Sequence, residues 1–126
     1  MSVSSRRNGG LMRLFRFELP VAADVCVALG QFLALGRSPT AAEATLGFVS
    51  VFCASTAALI LNDYFDREAD RINAPTRPLP AGVVTERDVL LLFVVVTLFG
   101  FVAGYLVSPA ALATLIGVWA VGLLYN

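Results

Sequence analysis

An all-α bundle that crosses a membrane several times is the fold class this sequence predicts, on three observations. Hydrophobic residues make up 58% of the 126 and charged residues only 14%, against about 45–50% and about 25% in ordinary soluble domains. Four apolar stretches, at about 19–35, 45–61, 89–107 and 109–125, are each long enough for a bilayer, where roughly 17–25 residues suffice. The arginines lie outside these stretches and mostly on one side of them. In hydrocarbon each stretch must be helical, because every backbone donor and acceptor has to be paired internally.

Taken in order, residues 1–10, "MSVSSRRNGG", read as a flexible tail. Their Arg6–Arg7 pair lacks the rest of a twin-arginine signal, and three more spans follow the first. The first span carries Asp24 and, seven positions on, Gln31 on nearly the same helix face. An intramembrane carboxylate is a functional candidate by default, so the two either line a cavity or hydrogen-bond a neighbouring helix. "GRSPT" at 36–40 is a brief turn into the second span. Thr85 and Asp88 form a variant capping box ahead of the third span. In that span Gly100 and Gly104 make a G-x-x-x-G that permits close helix packing, expected within the bundle. Ser108 and Pro109 suit the N-cap and first position of the fourth span, so spans three and four should form a tight antiparallel hairpin. Trp119, in mid-span, is no interface anchor; it is expected to pack, with cavity lining as the alternative.

Arginine placement sets an orientation. Arg6, Arg7, Arg13 and Arg16 precede the first span; Arg67, Arg71, Arg77 and Arg87 lie between spans two and three; Arg37 alone falls on the other side. By the positive-inside rule the N-terminus and the connecting loop at 62–85 are cytoplasmic in a multi-pass protein of the cell membrane.

Composition also narrows the chemistry. The formal net charge is zero, so no global field attracts nucleic acid. The chain has no histidine, which excludes a His-based triad, a His zinc site and haem ligation through His. Cys26 and Cys53 sit in apolar runs without the spacing of a zinc site or redox pair. Carboxylate, hydroxyl, amide and guanidinium groups remain.

The carboxylates gather in one place. In "LNDYFDREADRINAPTRPLPAG", 61–82, four of the nine acidic residues fall within eight positions. If the second helix continues past Leu61, a turn of about 100° per residue puts Asp63, Asp66 and Asp70 within an arc of about 60°, widened to about 100° by Asn62. Like charges at this spacing repel, and anions near a helix C-terminus oppose its dipole. A cation should offset them. Hard oxygen donors without nitrogen or sulfur suit Mg²⁺ or Ca²⁺, and Mg²⁺ usually takes one or two carboxylates plus substrate phosphates. The plainer reading is a solvated helix end, with Arg67 and Arg71 pairing locally to the aspartates. The regular N-D-x-x-D-x-x-x-D spacing at a membrane surface favours a site for a metal-bound diphosphate. The following loop is stiffened by Pro75, Pro78 and Pro80, and it brings Arg71 and Arg77, whose guanidinium forks match phosphate.

This segment resembles the first aspartate-rich motif, and the loop after it, of the UbiA family of intramembrane prenyltransferases. N-D-x-x-D-x-x-x-D maps onto Asn62, Asp63, Asp66 and Asp70, and the R-P-L/I-P-x-G tail onto Arg77, Pro78, Leu79, Pro80 and Gly82. "LFRFELP" before the first span and "LLYN" at the end are similar to the corresponding parts of the family. The resemblance implies a helical bundle of about nine spans, of which residues 11–126 supply the first four. It implies Mg²⁺-dependent transfer of a prenyl group from a prenyl diphosphate to a lipid or aromatic acceptor within the membrane. Asp63, Asp66 and Asp70 would be the catalytic carboxylates. With Asn62 they would hold Mg²⁺, and Asn62, Arg71 and Arg77 would contact the diphosphate.

"NDYFDREAD" and "RPLPAG" look most like the branch that adds geranylgeranyl to a glycerol-phosphate ether lipid precursor. Aromatic acceptors, precursors of quinones, haem or chlorophyll, are the alternative. The family's second aspartate-rich motif is not present by Asn126, so the chain is expected to be a fragment, inactive alone. Two readings of other classes compete: a divalent-cation transporter with the acidic stripe as a vestibule, and a non-catalytic membrane assembly subunit.

Overall fold

A computed structural model describes residues 3–125 as six helices, with no strand among them. They are α1 (Val3–Arg13), α2 (Glu18–Leu35), α3 (Ala41–Phe65), α4 (Arg67–Asn73), α5 (Glu86–Val107) and α6 (Pro109–Tyr125). Helices α2, α3 and α5 are long and apolar enough to span a membrane, with mean hydropathies of 1.5, 2.0 and 2.6, and α6 is a shorter apolar helix of 17 residues. These four correspond to the four predicted spans, each beginning and ending within a turn or so of the expected limits.

The caps explain the limits. Helix α2 stops at Gly36, whose φ of 60° is left-handed, a conformation that costs glycine little. Thr40 and Glu43 close a reciprocal capping box at the start of α3 (3.2 and 2.8 Å), and Arg37 grips the same Glu43 through both amino groups at 2.9 and 3.1 Å. Those bonds push the Arg37 guanidinium above its ordinary pKa. Thr85 and Asp88 form the expected box ahead of α5. The Ser108 hydroxyl accepts from the Ala111 amide at 3.0 Å, so α5 and α6 are joined by that residue alone.

Helices α3 and α5 form the central antiparallel pair, with α2 against α3 and α6 against α5. Gly100 explains how closely α3 and α5 approach. A Cβ placed there would stand 3.0 Å from the Cys53 Cβ and 3.3 Å from the Ser50 carbonyl oxygen. Gly104, one turn on, lets Leu112 and Leu115 of α6 approach instead. The expected packing role of G-x-x-x-G is thus realised inside the chain. Trp119 stacks on Phe93 and meets Phe101 edge-on, with ring centroids 6.0 and 5.7 Å away.

Most of the fully buried apolar side chains lie at one end of the bundle. Leu14, Ala57, Ile60, Val84, Val89 and Val96 form the core, with Leu11, Phe15 and Leu79 packed against it. Along the spans many large apolar residues, such as Leu29, Leu33, Phe99 and Val102, face outward, the pattern expected of helices solvated by lipid rather than water.

Two expectations change in detail. The tail expected over 1–10 is helical from Val3, and Gly10 is buried because its missing side chain admits Val83 and Val84. Met1 and Ser2 lie outside the described residues, as does Asn126 of "LLYN". The segment 62–85 is only partly a loop: Asn62–Phe65 complete α3 and Arg67–Asn73 form α4.

Candidate functional site

The aspartate stripe sits where α3 gives way to α4. The helix axis is interrupted at Asp66, yet the Asp66 amide donates to the Asn62 carbonyl at 2.9 Å and the Asp70 amide to the Asp66 carbonyl at 2.8 Å. Because this i to i+4 register carries across the interruption, the predicted face survives it. Asp63 and Asp70 turn inward and are only 5% and 7% exposed. Asp66 remains exposed, and its Oδ2 accepts from the Asn62 side-chain amide at 3.1 Å.

The proline-rich loop delivers the counter-charge. Arg77 is held by its own turn, its amide donating to the Ala74 carbonyl and its carbonyl accepting from the Ala81 amide. The Pro78 carbonyl accepts from both Val83 and Val84, and Gly82 makes the reversal with φ of 69°. So placed, the Arg77 Nη1 donates to Asp70 Oδ2 at 2.5 Å and to Asp63 Oδ1 at 3.4 Å. Arg16, from the bend between α1 and α2, places its Nη2 3.8 Å from the same Asp63 Oδ1. From the sequence, Arg16 near the membrane surface reads as an interfacial anchor ahead of a residue reaching the site; the structure brings it to Asp63.

The other arginines point elsewhere. Arg71 pairs with Glu68 on the exposed side of α4 at 3.0 Å, so the structure does not bring it to the aspartates. Arg67 binds Glu86 at 3.0 Å and lies over the Tyr64 ring, 4.5 Å from its centroid. The local pairing of Arg67 and Arg71 with the aspartates, which the plainer reading requires, is therefore not seen.

An apolar groove of about 550 Å³ is walled by α2, α3, α5 and α6. Its α3 wall is small-sided: Gly47, Ser50, Ala54, Ser55 and Ala58 lead up to Leu61, two residues before Asp63. From Gly47 to Leu61 the groove follows α3 for about 21 Å. Gln31 lines its far end, donating its side-chain amide to the Glu43 carbonyl at 2.9 Å. Asp24 does not line it. That carboxylate is buried, and neither of its oxygens has a partner among the described residues; the same holds for the Thr56 and Thr97 hydroxyls.

As a donor set the stripe has hard oxygens only. Among the described residues no three His, Cys, Asp or Glu side chains lie close enough to hold a metal ion. Its oxygen donors are of the kind that suit a hard divalent cation.

The model of the UbiA prenyltransferase family matches residues 24–126, which include the whole stripe, its arginine loop and the groove. The chain belongs to that family. Relatives within it include the digeranylgeranylglyceryl phosphate synthase of Halobacterium salinarum, 38% identical over 114 residues, or 89% of this chain and 37% of the relative. That of Haloquadratum walsbyi is 39% identical over 82 residues (65% and 29%), and that of Thermococcus sibiricus 34% over 97 residues (77% and 35%). The chain thus spans about a third of the length of the curated relatives it matches. No solved structure matches it. Membership in UbiA accords with the apolar helices and makes this an integral membrane protein.

Proposed function

We propose that this chain forms the donor-binding part of a UbiA-type prenyltransferase that moves a geranylgeranyl group from its diphosphate to a glycerol-phosphate ether lipid precursor. The observation that carries this reading is that two nearly buried carboxylates share a loop arginine at the α3–α4 junction, and that α3 also walls an apolar groove reaching up to Leu61, two residues before Asp63. A prenyl diphosphate has the same polarity, a charged head on an apolar tail. The lipid acceptor is favoured by the relatives, which are named digeranylgeranylglyceryl phosphate synthases.

In this assignment Asp63 and Asp70, with Asn62 and Asp66 beside them, hold Mg²⁺, and Arg77 contacts the diphosphate. The ion, when bound, neutralises charge on the departing diphosphate. The chain's own part is to orient and to exclude. Arg77 aims its donors at phosphate oxygens, which gain charge as the allylic carbon–oxygen bond breaks. The groove walls, from Leu61 to Gly47, keep the isoprenoid extended and water away from the allylic carbon. The acceptor hydroxyl forms the new carbon–oxygen bond, the diphosphate leaves with the electrons of the broken carbon–oxygen bond, and the hydroxyl proton passes to that diphosphate. No side chain need act as a nucleophile. The arginine-rich end of the bundle, which holds α1, α4 and the loop, faces the cytoplasm.

The test is transfer of radiolabelled geranylgeranyl diphosphate by the complete gene product in nanodiscs, with lipid-phosphate and aromatic acceptors offered separately. Product is expected with the lipid acceptor. Asp63→Ala combined with Asp66→Ala should lower the rate by about a hundredfold or more. Transfer that survives the double substitution would refute the site, and transfer to the aromatic acceptor alone would refute the lipid assignment.

A further inference from the structure

Resting on the donor-binding reading proposed above, we infer that Gln31 is the end stop of the groove. It selects the donor by length, admitting a geranylgeranyl tail and rejecting one that is an isoprene unit longer.

The groove has two unlike ends. Towards the aspartates its lining is apolar, with Ala58, Leu61 and Leu123. At the other end polar side chains gather: Gln31, Ser50 and Thr114. The two hydroxyls are turned to their own helices, Ser50 donating to the Gly47 carbonyl at 2.9 Å and Thr114 to the Ala110 carbonyl at 3.0 Å. Gln31 instead reaches from α2 across to α3, where its side-chain amide donates to the Glu43 carbonyl. Glycine at 47 leaves room for that crossing, because a Cβ there would collide with the Gln31 carboxamide. The acceptor is held in turn. Glu43 is fixed by Arg37 and by its capping box with Thr40.

The length fits. From Asp63 to Gly47 α3 runs about 24 Å, and an extended geranylgeranyl chain is about 20 Å long at ordinary carbon–carbon bond lengths. One further isoprene unit would have to push the carboxamide aside, breaking its bond to Glu43 and setting an unpaired amide against hydrocarbon. Such a loss is costly in an apolar site. The extra unit gains little in exchange, since the lipid it leaves is as apolar as the groove it enters. A shorter tail meets no such obstacle, so the discrimination falls mainly on longer donors.

The experiment measures kcat/KM of the complete gene product in nanodiscs with farnesyl, geranylgeranyl and geranylfarnesyl diphosphates and a lipid-phosphate acceptor in excess. Wild type, Gln31→Ala, Gln31→Met and Ser55→Phe are compared, with the melting temperature of each. The wild-type protein should favour geranylgeranyl over geranylfarnesyl by at least about tenfold. Gln31→Ala removes the stop and should raise the geranylfarnesyl-to-geranylgeranyl ratio by about tenfold. Gln31→Met, similar in length but free to swing aside, should raise it by a smaller factor. Ser55 lines the groove part-way along α3, so Ser55→Phe should obstruct it short of Gln31 and shift the preference towards farnesyl. A wild-type protein indifferent to donor length, or a ratio unmoved by both Gln31 substitutions, would overturn the end stop and leave the donor-binding reading standing. So would a lowered melting temperature with kcat/KM falling in parallel for all donors, the behaviour of a merely structural residue. A preference unmoved by Ser55→Phe as well would place the tail outside this groove. Failure of the wild-type protein to use geranylgeranyl diphosphate at all would overturn the donor-binding reading itself.

Discussion

Arg77 touches two carboxylates seven positions apart, and each of them is almost out of contact with solvent. Removing it would leave two like charges buried side by side, the circumstance in which a broken ion pair costs most. Because Arg77 itself is a third exposed, part of that cost is screened. Arg77→Ala should therefore destabilise the detergent-solubilised protein by about 1–3 kcal/mol in chemical unfolding. Arg71→Ala, which loses only an exposed pair with Glu68, should leave the unfolding midpoint unchanged. Equal effects of the two substitutions would contradict the burial described for Asp63 and Asp70. Asp24 presents the opposite case, a buried carboxylate without a partner among the described residues. Its charged form is costly in such a place, so it is the polar group in the spans that most needs another partner.

At the scale of elements, the α3–α5 contact decides where everything else sits. The two helices approach closely at Gly100, where two of the three nearest neighbours of an added Cβ are backbone atoms that cannot swing away. Gly100→Leu should cost about 1–3 kcal/mol through overpacking, read as a lower melting temperature. Gly117→Ala in α6 is the control: nothing lies within 4 Å of its added Cβ, and alanine favours helix, so stability should hold or rise slightly. A tolerated Gly100→Leu would mean that α3 and α5 are further apart than described. The break at Asp66 is the other decisive element. It bends the chain without breaking the hydrogen-bond register, so α4 can lead into the proline loop while Asp70 stays over Asp63.

For the whole molecule the two ends differ. Arg16, the aspartates, Arg77 and the buried core share one end, and the Arg37–Glu43 turn occupies the other. If the first end is cytoplasmic, Arg71→Cys should react with a membrane-impermeant maleimide only from the cytoplasmic side, and Ser38→Cys only from the opposite side, in sealed vesicles of defined orientation. Labelling of both from one side would overturn the topology. The groove, together with an α6 that has no buried residue among those described, leaves apolar surface uncovered, as do the outward faces of α2 and α5.

Much of this was legible in the chain itself, because bilayer and backbone impose local rules. Apolar length set the spans, Thr85–Asp88 and Ser108–Pro109 set their starts, and helical periodicity put Asn62, Asp63, Asp66 and Asp70 on one face. The sequence by itself therefore determined the fold class and the candidate carboxylates. Only the tertiary structure decided which cations meet them: Arg77 and Arg16, not Arg71. That choice depends on where a proline loop and a left-handed bend return in space. Sequence separation says nothing of such returns, for they follow from the packing of Leu14, Val84 and Val89 into one core.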